Sequence, residues 1–236
     1  MHIPDGFINN NITGPALGSA GAFAAVAFHK IYREVMQRVA VAHKQLATIP
    51  ATSAEITTRQ TAVSKSGKRQ LWQMATVGSF IFLIQLIDVP LINGTPGHLL
   101  GGALAAFILG PWAAMVTMAI VLSIQAIILG DGGTIALGIN FLTMGVIAIW
   151  TAWGMSSMIK KKTHAILGLS TALSVIITAL VTATIMQFDT SRFGGNVQSF
   201  ILTHCVIGIA EAGVTIVLIR WWQSQKQSIA IADIKK

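Results

Sequence analysis

The sequence predicts an all-α integral membrane protein with about seven transmembrane helices, and three observations predict it. Hydrophobic residues make up 53% of the 236 and charged ones only 10%, with a mean hydropathy of +0.70; a soluble domain carries about 25% charge. The apolar runs are long and do not alternate, which suits helices rather than barrel strands. Basic residues sit in short stretches between those runs, as cytoplasmic loops do. The net charge of +8 therefore reads as loop topology and not as a nucleic-acid surface. The single cysteine, Cys205, lies within an apolar run, reads as a small buried side chain, and leaves no partner for an internal disulfide.

The chain opens Met1-His2-Ile3-Pro4-Asp5-Gly6-Phe7. A histidine after an initiator methionine offers the α-amine of Met1, its own main-chain nitrogen and a ring nitrogen. Such fused chelate rings suit a square-planar or tetragonal metal, Ni(II), Cu(II) or Co(II), better than Zn or Mg. Pro4 holds Ile3 extended, and Gly6 permits a tight turn. An arbitrary second residue on a frayed terminus is the plain alternative.

The first apolar run spans residues 13–28. No basic residue precedes it and several follow at once, which places the amino terminus outside the cytoplasm and argues against a cleaved signal peptide. Residues 30–70 form a basic cytoplasmic connector within one membrane domain spanning 1–236. Residues 31–46 carry the stripe of an amphipathic helix suited to an anionic lipid surface, and residues 48–66 read as a flexible linker. Further runs are expected at 71–88, 98–109, 111–130, 138–159, 164–188 and 199–222. Lys160, Lys161, Lys162 and the basic tail then fall inside, leaving only Arg192 outside.

The outer side gathers Met1, His2 and the loops 88–97, 130–137 and 189–198. There His98, after Gly94-Thr95-Pro96-Gly97, offers the fourth equatorial nitrogen the terminal chelate lacks, or else simply caps a loop. Gly97, Gly101 and Ala105, beside Gly102 and Ala106, form a small-residue face that admits a close backbone, for which the amino-terminal segment is a candidate. Gly130-Asp131-Gly132-Gly133 is a turn by composition. Gln125 and Asn140 are uncharged and suited to bridging helices. Glu211 and His204 share a face of the last run, where an ionisable group either serves function or ties helices together. The sequence holds no Walker loop, zincin motif or activated nucleophile, so energy would come from a partner or an ion gradient.

Together the amino-terminal heptapeptide, Gly97-His98-Leu99 with Gly101-Gly102, Leu109-Gly110-Pro111-Trp112-Ala113-Ala114, Gly130-Asp131-Gly132-Gly133, Ala136-Leu137-Gly138 with Asn140, and His204-x-x-Ile207-Gly208-x-x-Glu211 resemble the CbiM/NikM family. Its members are substrate-capture (S) components of energy-coupling-factor transporters for cobalt and nickel. The resemblance covers most of the chain outside residues 30–70, which are longer than the family pattern. It implies seven helices with the amino-terminal segment inserted from outside. It also implies a Co(II) or Ni(II) substrate held by Met1, His2 and His98; Asn140, His204 and Glu211 are read beside it as supporting the ligands or as helix-interface residues. Asp88, where the family more often has asparagine, would attract cations or support the ligands. Implied partners are a transmembrane coupling protein, two cytoplasmic ATPases and a small accessory membrane protein, in a bacterial inner membrane. No organic cofactor or nucleic acid is implied, and the chain itself is not expected to be an enzyme. Two readings compete: an ion-coupled divalent-metal permease, which would favour an internal repeat and paired acidic residues, and an intramembrane metalloenzyme, which would need an open coordination position.

Overall fold

The computed structural model describes residues 2, 3, 5, 6, 8–47, 53–90, 96–159, 163–188 and 197–234. Met1, Lys160, Lys161, Lys162, Arg192 and most of the 189–198 loop lie outside them. Helix α1 (Asn10–Ala47) leads into α2 (Ser53–Gln85), then two short strands, β1 (Val89–Pro90) and β2 (Pro96–Gly97), and α3 (Gly102–Leu109). Four longer rods follow: α4 (Pro111–Leu129), α5 (Leu137–Met158), α6 (His164–Phe188) and α7 (Val197–Ile234). Four helices among the described residues are long and apolar enough to cross a membrane, within α4, α5, α6 and α7. The chain is thus a multi-pass, predominantly helical protein.

Two expectations need correction. Residues 48–66 are not a flexible linker throughout, because α2 begins at Ser53. No proline or glycine interrupts residues 53–66, and Ala, Glu, Arg, Gln and Lys among them tolerate helix well. The small-residue face does not receive the amino-terminal segment either. A Cβ on Gly101 would meet Ile81 of α2 at 2.8 Å, one on Gly102 would meet the Met144 carbonyl of α5 at 3.0 Å, and one on Gly97 would run into Ile207 of α7. Those glycines admit three helices around the short α3.

Local chemistry sets the boundaries. Asn9 caps α1, its side-chain oxygen accepting from the Asn11 amide at 3.0 Å. Pro15 lies inside α1, and the Ser19 hydroxyl donates to its carbonyl at 2.9 Å. The α3–α4 junction is the expected tight turn: Gly110 takes φ +81°, its N–H closes α3 on Ala106, and Pro111 starts α4, where a missing N–H costs nothing. Both rods flanking the 130–136 loop contain π-helical turns, at Gln125–Leu129 in α4 and Phe141–Ile147 in α5. Such turns widen the backbone ring and often accompany functional sites.

The main core collects Ile81, Leu100, Met115, Met118, Met144 and Ile149 from α2 to α5. A second, smaller cluster joins Ile3 and Ile8 of the amino-terminal segment to Ala136, Ile139 and Met186. Helix α1 reaches α5 by direct backbone contact, since a Cβ on Gly138 would lie 2.5 Å from the backbone N and Cα of Leu17. No side-chain rotation relieves that approach, so Gly138→Ala should force α1 and α5 apart. The expected cost is about 1–3 kcal/mol, measured as a lower thermal midpoint of the purified protein in detergent; an unchanged midpoint would refute the packing.

Candidate metal centre

The amino-terminal segment is held by one side chain. Asn140, in the first turn of α5, accepts a hydrogen bond from the Ile3 N–H through Oδ1 (2.8 Å) and donates through Nδ2 to the Ile3 carbonyl (3.1 Å) and the Gly132 carbonyl (2.7 Å). It thereby treats Ile3 as a neighbouring strand would. Both residues are buried, at 1% and 2% exposure, so water offers little competition. Asn140 is therefore not a helix–helix bridge of the kind its sequence context suggests.

Asp5 makes a second attachment, which the sequence reading missed. Its carboxylate accepts from the main-chain amides of Thr134, Ile135 and Ala136 at 2.9, 2.8 and 2.9 Å. These N–H groups lead into α5, where a carboxylate satisfies orphan donors and meets the positive end of the helix dipole. Gly133, at φ +67°, leaves the space that the Asp5 carboxylate fills. Its partners are main-chain amides some 130 residues away, for which the sequence carries no signal.

Between these attachments the His2 ring is drawn inward, its side chain 7% exposed. It stacks obliquely on His98, with ring centroids 4.8 Å apart and planes at 42°. Neither ring nitrogen of His2 has a hydrogen-bond partner. Nδ1 lies 3.1 Å from Asp131 Oδ2, within ion-pair reach but off the line a hydrogen bond requires. This polar contact holds the Asp131 carboxyl below the usual carboxylate range, outweighing the partial burial that pulls the other way. Two buried imidazoles facing each other, one with neither nitrogen hydrogen-bonded, form a donor set suited to a metal ion.

His98 reaches this position because its loop is fastened from both sides. Glu211, from the middle of α7, accepts from the Leu100 and Gly101 amides at 2.7 and 2.9 Å. From α2, the Gln85 amide nitrogen donates to the Leu100 carbonyl at 2.7 Å. His98 Nδ1 contacts the Leu99 carbonyl at 2.9 Å; with the proton there, Nε2 is the nitrogen left with a lone pair. Glu211 also stands just ahead of α3, whose N-cap, Gly101, carries no side-chain cap of its own.

The remaining expected residues divide. His204 is fully buried on α7, two turns before Glu211, its Nδ1 at 2.7 Å from the Phe200 carbonyl and its Nε2 without a partner among the described residues. Asp88 is exposed at the end of α2. Gln125, expected to bridge helices, is buried with neither amide atom hydrogen-bonded. Among the described residues no three His, Cys, Asp or Glu side chains converge on one point.

The profile of the family described as "Cobalt uptake substrate-specific transmembrane region" matches residues 2–229. The cobalt transport protein CbiM of Acetohalobium arabaticum is 28% identical over 184 residues, 73% of this chain and 73% of that one. The fused nickel transport protein NikMN of Rhodobacter capsulatus is 30% identical over 147 residues, 62% of this chain but 33% of that longer protein. Among solved structures, a transition metal transporter superposes with a TM-score of 0.74 at 24% identity, covering 96% of this chain and 94% of that chain. The S component of a bacterial ECF transporter superposes at 0.53 with 17% identity, covering 67% and 97%. At these identities the likeness is one of fold.

The attachment of the amino-terminal segment can be tested at Asn140. Asn140→Asp keeps the oxygen that accepts from Ile3 but turns a carboxylate toward the Ile3 and Gly132 carbonyls, leaving both without a donor. The segment should loosen by about 1–3 kcal/mol, seen as faster amide exchange at Ile3 and earlier proteolysis near the terminus. Protection equal to that of the parent protein would contradict the geometry.

Proposed function

Because the chain belongs to the family of cobalt uptake substrate-specific transmembrane regions, we propose that it captures Co(II) or Ni(II) at the outer face and passes the ion inward as the S component of an ATP-driven transporter. The observation that carries this reading is the buried His2–His98 pair, with both His2 nitrogens unpaired and the segment bearing them clasped by Asn140. The Met1 α-amine and the His2 main-chain nitrogen supply two further donors, and the His2 and His98 rings complete a square plane. Selectivity then comes from geometry, since raw affinity would favour copper. Asn140 sets the depth of the segment, and Glu211 sets the position of His98. His204 supports the ligand region from α7, and Asp88 draws cations toward the outer face.

The proposed topology has seven spans, with the amino terminus outside and the carboxyl terminus in the cytoplasm of a bacterial inner membrane. Helices α1 and α2 and the short α3 complete the set with the four spans of α4 to α7. Residues 30–70 lie on the cytoplasmic side. ATP hydrolysis belongs to two partner ATPases, linked through a transmembrane coupling protein, with a small accessory membrane protein assisting. Among the described residues, Asp131 and Glu211 do not form the paired mid-membrane carboxylates that an ion-coupled permease would favour.

Purified protein with an unmodified amino terminus should bind one Ni(II) or Co(II), whereas a version carrying one extra residue before Met1 should bind neither. Equal binding by both forms would exclude the terminal amine, and His204 with Glu211 would become the next site to test. His98→Ala should weaken Ni(II) binding by at least about 100-fold, in the range lost when a ligand or its close support is removed.

Acid should also release the metal. Amine and imidazole donors must lose protons to bind, so each displaced proton costs about tenfold in affinity per pH unit on the acid side. The sign follows directly: more protons are bound to the free protein than to the complex, so affinity rises with pH. A titration series from pH 8 to pH 5 that shows constant affinity would contradict an amine-and-imidazole site.

A further inference from the structure

The carboxylates on the described part of the chain that lie nearest the ligands are not equivalent. Asp5 is committed to three main-chain amides, and Glu211 is buried and committed to two. Asp131 is different: its side chain is 39% exposed, and Oδ2 lies 3.1 Å from Nδ1 of a His2 side chain that is 7% exposed. Among the described residues no other ion pair or side-chain hydrogen bond holds this carboxylate. A part-exposed carboxylate thus lies directly against a buried nitrogen donor.

The backbone holds it there. Gly130, Gly132 and Gly133 all take positive φ, at +69°, +79° and +67°, which most side chains rarely adopt. A Cβ on Gly132 would lie 3.0 Å from both the His2 ring and the Asn140 amide nitrogen. The Asp131 main-chain N–H bonds the Gln125 carbonyl at 3.1 Å, closing the π-helical end of α4. The loop is therefore fixed against the same two residues that define the site.

A divalent cation in water is surrounded by oxygen donors, and exchanging them for nitrogens inside a low-dielectric protein requires stripping water from a charge. An anionic oxygen at the water boundary, in contact with the first nitrogen, divides that exchange into two smaller ones.

Resting on the ligand set proposed above, we propose that Asp131 is the receiving ligand: its carboxylate takes the hydrated divalent cation from the outer solution and transfers it to His2 Nδ1. One carboxylate–metal bond forms as a bound water leaves, and it breaks as Nδ1 takes its place. No electron changes hands.

Stopped-flow mixing of the purified full chain with Ni(II) separates this role from a structural one. Asp131→Asn should slow association about tenfold, the lower end of what a local field adds to cation capture, while dissociation stays within a factor of about two. The dependence of association on ionic strength should flatten in the same variant. Asp131→Glu, with the charge restored, should recover most of the rate, and matched thermal midpoints show that the loop has kept its fold. An association rate in Asp131→Asn equal to that of the parent protein overturns the proposal, as does a loss of affinity that comes entirely from faster dissociation. His2→Ala is the control for the ligand set. If it abolishes binding while Asp131→Asn associates normally, the site stands and only the receiving role falls. If His2→Ala binds Ni(II) as the parent does, the ligand set itself is wrong and the receiving role falls with it.

Discussion

The pairing of one asparagine side chain with one residue of extended backbone determines what the rest of this fold can do. A peptide unit buried without partners is costly, and the first residues of a chain have neither helix nor sheet to satisfy them. Asn140 provides a substitute for a sheet edge: an acceptor for the Ile3 N–H and a donor for its carbonyl. Ile3 can then sink into a hydrophobic cluster of its own with Ile8, Ala136, Ile139 and Met186. The histidine one position earlier is brought to His98 as a result. Without that substitute, burying Ile3 would leave two backbone groups unsatisfied and the terminus would stay in water.

Three carboxylates divide the remaining polar work by their surroundings. Asp5 meets a row of amides leading into a helix, Glu211 meets two amides ahead of another, and Asp131 meets an imidazole at the water boundary. Among the described residues no ion pair accompanies the burial of Glu211 at 2% exposure; two short main-chain hydrogen bonds stabilise the carboxylate. Gln85 fastens the carbonyl side of the same loop. The loop that presents His98 is thus held through its backbone, and the imidazole lies against the Leu99 carbonyl beside it.

Much of this was legible in the sequence, though unevenly. Hydropathy gave the long rods α4 to α6 and the start of α7 to within a few residues, because a 3.6-residue helix surrounded by lipid must be apolar over its length; the polar end of α7, from residue 223 to Ile234, lay outside the expected run. His2 and His98 were legible because few residue types bind transition metals and both stood on one side of the charge pattern. The role of Asn140 was not, since a polar side chain in an apolar run gives no sign of whether its partner is a helix or a distant strand. Asp5 was invisible for the same reason: its partners at 134–136 are main-chain amides, which every sequence has. Glu211 was noticed for its depth, yet its attachment to Leu100 and Gly101 lies 110 residues away in the chain. The 48–66 segment was misread because Thr and Ser content resembles a linker, whereas uninterrupted helix propensity extends α2 back to Ser53.

Glu211 also has a mechanical meaning. It sits partway along α7, a helix that continues from there to Ile234, a length of roughly 35 Å at 1.5 Å per residue. Among the described residues, the loop carrying His98 is hydrogen-bonded to that rod only through Glu211, while α6 packs along it, Ala172 against Gly208 and Gly168 against Ile216. Moving together with the helix it packs on, such a rod works as a lever about that bond. A tilt of about 10° around the carboxylate would carry the far end of α7 through roughly 6 Å, on the geometry of a straight helix, while the bonded loop would barely shift. Small adjustments among the histidines would therefore be magnified at the opposite end of the helix, and a push applied there would arrive at the histidines reduced but directed.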